Sequence, residues 1–379
     1  MGYFLLALIL SAALPAAAKS DRSYFAFPGT AYLDGVGPIV GGAAGVKNVF
    51  QEGTVLAAFK TFGKIRGGGV ALRGYRVFDD RGTLSVGVGV LEEAEFTTQY
   101  GRGYEQRFLL EQVINGYGFG ARLRFEPIPD RFAWSAGFSS SLIAFEEYKN
   151  RSGEKIPISL RDFKDINTNA IFLGLELGLL QRDPKLLQLE ESLTVVGGRV
   201  AQSDMALFKT RLHGRREFSG RLRVSFTAGM SNAVIIREVG PGRVDGRCNT
   251  VADPAFQLDC QRVEDQITEF VVKSNKVGTS LPLGGSRGLR SYREARFKAA
   301  HTGLSGLEVG WTPVKRFPVE VVAFYELGHA SDNLAALISR SRYSAGGGVR
   351  IGGEELALRA EFSYGHEGGA GFLTFGAPW

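Results

Sequence analysis

The sequence contains a pentapeptide and four histidines that would suit a hydrolase. Residues Gly284–Gly288 spell Gly-x-Ser-x-Gly, the pattern of a serine nucleophile. That pattern works on a strand–turn–helix elbow, and no helical pattern follows Gly288. The histidines have no obvious serine partner; they are His213, His301, His329 and His366. The sequence therefore does not predict an enzyme.

The two cysteines of the chain, Cys248 and Cys260, lie in one long segment between predicted strands. In an oxidising compartment such a pair can close a small ring through a disulfide, and two free thiols are the alternative. We expect the disulfide, which would stabilise the segment without carrying chemistry. No histidine is paired with these cysteines in a metal-site spacing, so neither a metal nor a cofactor is expected.

The overall composition is that of a soluble protein, except for glycine. Of the 379 residues, 22% are charged, and the mean hydropathy is −0.03. There are 51 glycines, nearly twice the usual share of about 7%. The net charge of +6 is modest, and the basic residues are spread over many segments, so a nucleic-acid partner is not indicated.

The N-terminal residues have the features of a secretory signal peptide. Tyr3–Ala18 is apolar and uncharged, and it ends in three alanines before Lys19. A short apolar region followed by small residues is typical of a cleaved export signal. We therefore predict a signal peptide over residues 1–18. An uncleaved anchor is the alternative, because no basic residue precedes the apolar run. The remaining chain has no second run of about 20 apolar residues, which a membrane-spanning helix requires.

Alternation of apolar and polar residues recurs along the chain and predicts β-strands. One face of the segment 356–364 is apolar and consists of Leu356, Leu358, Ala360, Phe362 and Tyr364. The other face carries Arg359 and Glu361, since successive side chains of a strand point to opposite sides. A soluble β-sandwich also alternates. Charges at the centre of the polar face, glycines on that face and strands of about ten residues favour a membrane barrel with a wet lumen.

The connections between strands alternate in length, as they do in outer-membrane barrels. The longer links are 99–106, 149–167, 237–302 and 329–342. Counting back from Trp379 gives about 16 strands, an even number, if Tyr24–Leu33 is a strand despite Pro28. The predicted fold is all-β: a transmembrane antiparallel β-barrel that occupies residues 19–379.

The end of the longest link resembles a family motif. Residues 281–297 read Leu-Pro-Leu-Gly-Gly-Ser-Arg-Gly-Leu-Arg-Ser-Tyr-Arg-Glu-Ala-Arg-Phe. This is similar to the Gly-Gly-x-x-x-(Val/Leu)-Arg-Gly-(Tyr/Phe) segment in the sixth outer loop of the BamA/TamA outer-membrane assembly-factor superfamily, which includes two-partner secretion transporters. Five strands follow that loop in the family, and five are predicted here. Further segments that resemble the family's later strands are 324–328, 343–350, 358–361 and 375–379.

The resemblance implies that the sixth loop folds into the lumen and that an arginine holds it there. The motif residues are Gly284, Gly285, Arg290, Ser291 and Tyr292. The matching wall residue is Glu326, and the alternation independently places Glu320 and Glu326 on the inward face. Glu308 and Glu361 are inward carboxylates nearby, and either could compete for Arg290. A solvated arginine without a fixed partner is the alternative.

Three features depart from the family pattern. Ser291 stands where the family has glycine, Glu326 stands where it has aspartate, and no POTRA domain is predicted before the barrel. The first two changes keep the chemistry, and the third leaves the delivery of clients open. Leu72–Tyr75 matches the core of the motif, but it lies within an alternating strand and lacks the preceding glycines. We interpret it as part of the wall.

The last strand ends on aromatic residues, Phe375 and Trp379, and resembles the signal that barrel-assembly machinery reads. The resemblance implies a barrel in the outer membrane of a Gram-negative bacterium that inserts or translocates polypeptide. Its implied partners are outer-membrane lipid and lipopolysaccharide, together with unfolded outer-membrane or secreted proteins. A structural or anchoring barrel, or a passive channel whose pore is occluded by the loop, is the alternative.

Overall fold

The alternating segments form one antiparallel sheet in the computed structural model of the chain. The structure describes residues 22–33, 37–98, 100–105, 109–149, 153–158, 165–180, 183, 186–197, 202–218, 220–240, 245–285, 288–314, 319–352 and 357–376. The predicted signal peptide over residues 1–18 and the C-terminal Trp379 lie outside the described residues.

Seventeen strands follow one another in the part of the chain that the structure describes. They are β1 (Ser23–Leu33), β2 (Gly37–Lys47), β3 (Val55–Gly63), β4 (Arg66–Val77), β5 (Gly82–Thr98), β6 (Leu110–Ile128), β7 (Phe132–Lys149), β8 (Lys155–Ile156), β9 (Asp165–Gly178), β10 (Leu187–Gly197), β11 (Asp204–Phe218), β12 (Leu222–Arg237), β13 (His301–Trp311), β14 (Val319–Ser331), β15 (Arg342–Gly352), β16 (Ala357–Gly365) and β17 (Gly368–Gly376). The two-residue β8 pairs with β7, which also pairs directly with β9. Without β8, sixteen long strands remain of the seventeen, which is the predicted number.

The first and last strands meet along a short seam. β1 and β17 pair antiparallel at Ala31↔Thr374 and Tyr32↔Leu373. By contrast, β1 and β2 pair along their whole length, from Ser23↔Lys47 to Leu33↔Gly37. Within the described ranges, far fewer main-chain pairs therefore join β1 to β17 than join β1 to β2.

Side chains alternate between an outer wall and the lumen, as the sequence predicts. On β14, Tyr325 is 47% exposed, whereas the next residue, Glu326, is 6% exposed. Large apolar side chains such as Phe119, Leu173 and Phe362 are exposed on the outer wall. An apolar outer band with a polar interior is the arrangement of a barrel that is surrounded by lipid.

All of the long connections lie at one end of the barrel, which we call the loop end, whereas every connection at the other end, the turn end, has eight residues or fewer. The connections at the loop end include 99–109, 150–164, 238–300 and 332–341. Antiparallel neighbours reverse direction at every connection, so successive connections lie at opposite ends. This arrangement confirms the predicted alternation of short turns and longer links.

The longest connection contains a helix, α1 (Pro254–Val277), that the sequence analysis does not predict. Its N-cap is Asp253, whose carboxylate accepts a hydrogen bond from the Ala255 N–H, and proline occupies the start of the helix. The buried residues at helical spacing are Cys260, Val263, Ile267 and Val271. The sequence shows mainly the two-residue period of strands, and the 3.6-residue period of this helix is missed. Two buried polar residues, Glu264 and Gln266, interrupt the apolar stripe and obscure the period.

The helix α1 packs against the loop-end portions of β6, β7 and β8. Val263 and Ile267 belong to a buried cluster with Leu110, Tyr148 and Ile156. A disulfide joins Cys260 of α1 to Cys248 in the preceding 3-10 turn. No helix in the described ranges is long and apolar enough to cross a membrane. The cluster and the disulfide together hold α1 at the loop end.

We expect reduction of the Cys248–Cys260 disulfide to loosen α1 while the barrel stays folded. A disulfide that closes a short loop contributes about 3 kcal/mol, because it restricts the unfolded chain. Dithiothreitol should speed proteolytic cleavage within residues 245–277, as followed by mass spectrometry. A variant with both cysteines changed to alanine should be cleaved rapidly with or without dithiothreitol. Equal cleavage of oxidised and reduced wild type would contradict this expectation.

Candidate loop-locking site

The chain after α1 forms a closed loop, here called the motif loop (residues 283–297). Leu283 and Phe297 form an antiparallel bridge with main-chain hydrogen bonds in both directions. Gly284 and Gly285 have φ angles of 119° and 67°, which side-chain-bearing residues rarely adopt. A Cβ on Gly284 would also lie 2.3 Å from the carbonyl oxygen of Arg293. The two glycines of the predicted motif therefore make the turn that closes this loop.

Apolar residues of the motif loop are fully buried. Leu289, Tyr292 and Phe297 are 0%, 1% and 0% exposed. The wall accepts Leu289 because Gly328 on β14 has no side chain, and a Cβ there would lie 2.3 Å from Leu289 Cδ1. Close packing of this kind fixes the depth at which the loop enters the lumen.

Three carboxylates of the wall surround Arg290. The Nε atom of Arg290 lies 2.8 Å from Glu326 Oε1, and its main-chain N–H donates to Glu326 Oε2 at 2.9 Å. The Nη1 atom lies 2.9 Å from Glu361 Oε2, and the Nη2 atom lies 3.1 Å from Glu308 Oε2. The structure thus places the expected partner and both expected competitors around Arg290 at the same time.

Further arginines extend this cluster over five adjacent strands. Its members are Arg223 on β12, Glu308 on β13, Glu320 and Glu326 on β14, Arg350 on β15, Arg359 and Glu361 on β16, and Arg290 of the motif loop. Arg350 joins Glu308 to Glu361, with N–O distances of 2.8 and 2.9 Å. The four arginines and four glutamates give 4 − 4 = 0, so the charges of the cluster balance.

An aromatic ring covers one side of Arg290. The guanidinium carbon lies 3.6 Å from the centre of the Phe324 ring, and Phe324 is buried. A cation over an aromatic face is favourable, and the ring also keeps water away from the ion pairs. The Arg290 cluster therefore joins the motif loop to the wall through ion pairs and one aromatic contact.

Ser291 and Tyr292 connect the motif loop to β15 and to the connection after β16. The Ser291 N–H donates to Ser344 Oγ at 2.9 Å. The Tyr292 hydroxyl donates to the Tyr343 carbonyl at 3.2 Å and accepts from the His366 N–H at 3.1 Å. Ser291 therefore joins the motif loop to β15 through its main chain.

Two buried arginines hold the same region at the loop end, and the sequence analysis predicts neither. Arg296 pairs with Glu367 through two bonds of 2.8 and 3.0 Å. Arg102 contacts Asp332 at 2.8 Å and donates to the Gly278 carbonyl, just after α1, at 2.7 Å. Burial raises the pKa of Asp332, but the Arg102 guanidinium outweighs burial and holds it below its usual range. Arg102 and Asp332 are 230 residues apart, so no local pattern relates them.

The other sequence candidates lie outside the Arg290 cluster. The four histidines contact Thr227, Asn232, the Arg340 carbonyl and the Tyr292 hydroxyl. Within the described ranges no group of three potential metal ligands occurs. Phe375 lies in β17, near the turn end. Leu72–Tyr75 lies in β4 beside a bulge, which confirms that it belongs to the wall.

Comparison with known proteins gives matches of structure. No protein-family model and no curated protein sequence matches the chain. CdiB from Escherichia coli matches with a TM-score of 0.58 and 10% identity, over 96% of this chain and 63% of that chain. CdiB from Acinetobacter baumannii matches with a TM-score of 0.55 and 9% identity, over 93% of this chain and 59% of that chain. BamA from Haemophilus ducreyi lacking POTRA domains 1–3 matches with a TM-score of 0.53 and 11% identity, over 94% of this chain and 70% of that chain.

The chain has a BamA/CdiB-like barrel fold. This is the fold of an outer-membrane β-barrel, as the sequence predicts. The chain spans less than two thirds of the two CdiB chains, at 59% and 63% of their lengths. Sequence identity of 9–11% means that the likeness lies in the path of the backbone.

We expect Arg290→Ala to destabilise the BamA/CdiB-like barrel at the motif loop. Removing one partner of a buried ion pair costs about 3–5 kcal/mol, because the opposite charges stay buried without it. Thermal unfolding in detergent and protease access to residues 283–297 would both report the loss. Arg211→Ala is the matched control, since Arg211 is 41% exposed and lies 4.0 Å from Glu190. Unchanged protease access in Arg290→Ala would show that Arg290 does not hold the loop.

We also expect Gly328→Ala to displace the motif loop. The added methyl group would overlap Leu289, which is fully buried and has no room to move. Protease access to the loop should rise, and the melting temperature should fall by several degrees. Gly306→Ala is the control, because the nearest atom to its Cβ lies at 3.5 Å, an ordinary contact distance. Equal behaviour of the two variants would contradict the proposed fit of Leu289.

Proposed function

We propose that this chain is a non-enzymatic barrel of the outer membrane that inserts polypeptide into that membrane or translocates it. The observation that carries the proposal is the motif loop inside the lumen, where Arg290 is held by Glu308, Glu326 and Glu361. We further propose that the chain belongs to the BamA/TamA superfamily. The fold and the motif residues Gly284, Gly285, Arg290 and Tyr292 support this assignment.

The Arg290 cluster suits a loop that is held in one position and can be released from it. The ion pairs of the cluster are polar contacts, so water or another chain that enters the lumen can replace them one by one. Leu289, Tyr292 and Phe297 add to the stability of the resting position, because release of the loop would expose them to water. We infer that the motif loop regulates passage through the barrel and that Arg290 locks its resting position.

The short seam between β1 and β17 supports a lateral route, by which polypeptide would pass between these two strands into the membrane. Among the described residues two pairs join these strands, whereas β1 and β2 pair along their full length. Each main-chain pair contributes to holding the sheet together, so the seam is the junction that opens at least cost. An opened seam exposes two unpaired strand edges, and such edges can template another strand. A client strand would pair there.

A second candidate is an anchoring barrel or a passive channel whose pore stays occluded. The loop-end contacts favour it, because Arg102–Asp332, Arg296–Glu367 and the Cys248–Cys260 disulfide all fasten the long connection. In this reading the same ion pairs close the lumen permanently. The two candidates differ in whether polypeptide insertion is accelerated.

We expect deletion of residues 280–296 to open the lumen. In planar bilayers the deletion variant should show larger conductance than wild type, because the motif loop no longer fills the pore. Heat-dependent migration on gels would establish that the variant is folded. Arg290→Ala provides a second route, since it releases the loop without shortening the chain. If no form conducts, the pore is not closed by this loop.

The two candidate functions can be distinguished by placing the same protein preparations in liposomes and adding unfolded barrel proteins. Wild type should accelerate their insertion over empty liposomes. A variant with cysteines at Ala31 and Thr374 should lose that acceleration when oxidised, because these paired positions would then fasten the seam. A cysteine pair at Thr30 and Val40, which joins β1 to β2, is the control. Conductance without any acceleration would favour the passive channel, and the absence of both would exclude transport.

A further inference from the structure

Glu191 lies on the outer wall at the centre of β10. In register it faces Leu175 of β9 and Thr210 of β11, and Leu175 is 46% exposed. Every second residue of β10 shares this side; these are Leu187, Leu189, Leu193 and Val195. A carboxyl group therefore stands in the middle of a row that is otherwise aliphatic.

The preceding residue, Glu190, has the opposite orientation and different surroundings. It faces Glu176, which contacts Arg124 at 2.8 Å in the lumen, and Arg211 lies 4.0 Å away. Glu191 instead accepts a hydrogen bond from the Thr210 hydroxyl at 2.8 Å. Among the described residues no cation forms an ion pair with Glu191. The wall of this chain therefore leaves Glu191 with a single neutral donor.

The position of Glu191 is unfavourable in a strand that faces lipid. Hydrocarbon chains neither donate nor accept hydrogen bonds, and ionisable groups at that depth usually mark a contact or a function. Lys60 and Glu92 are also charged residues on the outer wall, but they form an ion pair with each other, with 3.1 Å between the charged atoms. Glu191 has no such partner within the described part of its own chain, and another molecule in the membrane can supply one.

We propose that a second copy of the chain docks on the face formed by β9, β10 and β11, with Glu191 and Thr210 of both copies meeting across a twofold axis. A twofold interface brings the same patch of both copies together. A protonated carboxyl group both donates and accepts, so two such groups complement each other across the axis. The Thr210 hydroxyl of each copy orients its own Glu191 for this contact.

The residues around Glu191 suit a protein neighbour of the same kind. Leu173, Leu175 and Leu193 surround it in register with the two adjacent strands. In a twofold contact these leucines pack against their counterparts and enclose the polar pair in a collar without water. A lipid chain would cover the leucines equally well but would leave Glu191 without a second hydrogen bond.

The proposal is tested first by cross-linking the full chain in liposomes. Leu193→Cys adds one thiol to the proposed face, while Cys248 and Cys260 remain in their disulfide. Mild oxidation should join two copies of Leu193→Cys into a covalent dimer. Val349→Cys, on the outer wall of β15, is the matched control and should give little dimer. Equal cross-linking of the two variants would overturn the proposal, as would recovery of Leu193→Cys as monomer alone.

A second measurement asks whether Glu191 itself carries the contact. In the Leu193→Cys background, the dimer fraction is measured while the protein is diluted in lipid. Glu191→Leu should weaken the dimer roughly tenfold, since each polar contact within a membrane contributes about threefold or more. Glu191→Gln should stay close to wild type, because an amide also donates and accepts across a twofold axis. A dimer of Glu191→Leu as tight as wild type would overturn the role of Glu191, and so would the loss of the dimer in Glu191→Gln.

Discussion

The position of one guanidinium group, that of Arg290, links the interior of this barrel to its wall. Glu308, Glu326 and Glu361 come from three different strands, and each contributes an oxygen atom to Arg290. Such an arrangement satisfies the arginine only while all three strands hold their register, because the donors of a guanidinium have fixed directions. The motif loop therefore depends on the sheet, and the buried carboxylates depend on the loop for their counter-charge.

Other contacts of the long connection also tie it to the wall, but they lie nearer the loop end than the Arg290 cluster does. Arg102 and Arg296 fasten the chain near the loop end, and α1 fills the space beside β6 and β7. The long connection is thus held along its helix, at Gly278 just after the helix and at Arg296 near its end, by contacts of different kinds. Gradual release is possible for such a loop, since polar contacts at one level can break while those at another persist. The proposed passage of polypeptide needs an interior that can rearrange without loss of the wall.

The outer wall is apolar, in contrast to the polar interior, because lipid favours apolar side chains and leaves polar groups without hydrogen-bond partners. Most outward positions follow it, as Phe119 and Tyr325 illustrate. Glu191 departs from it at the centre of a strand. The departure is informative for the same reason that the Arg290 cluster is. In both places a charged group identifies what must lie against it: the folded loop on the inside and, as we propose, a second barrel on the outside.

Local residue order alone determines the strands of this protein, because side chains alternate with a period of two and turns interrupt them. It also predicts that Glu326 points inward, since that follows from the alternation of neighbouring residues along the chain. The helix α1 is not predicted from residue order, because polar residues interrupt its apolar stripe. The ion pair between Arg102 and Asp332, and the sharing of Arg290 by three strands, were decided only by the tertiary structure. Their partners are far apart in sequence, and only the closing of the sheet and the folding of the loop into it bring them within bonding distance.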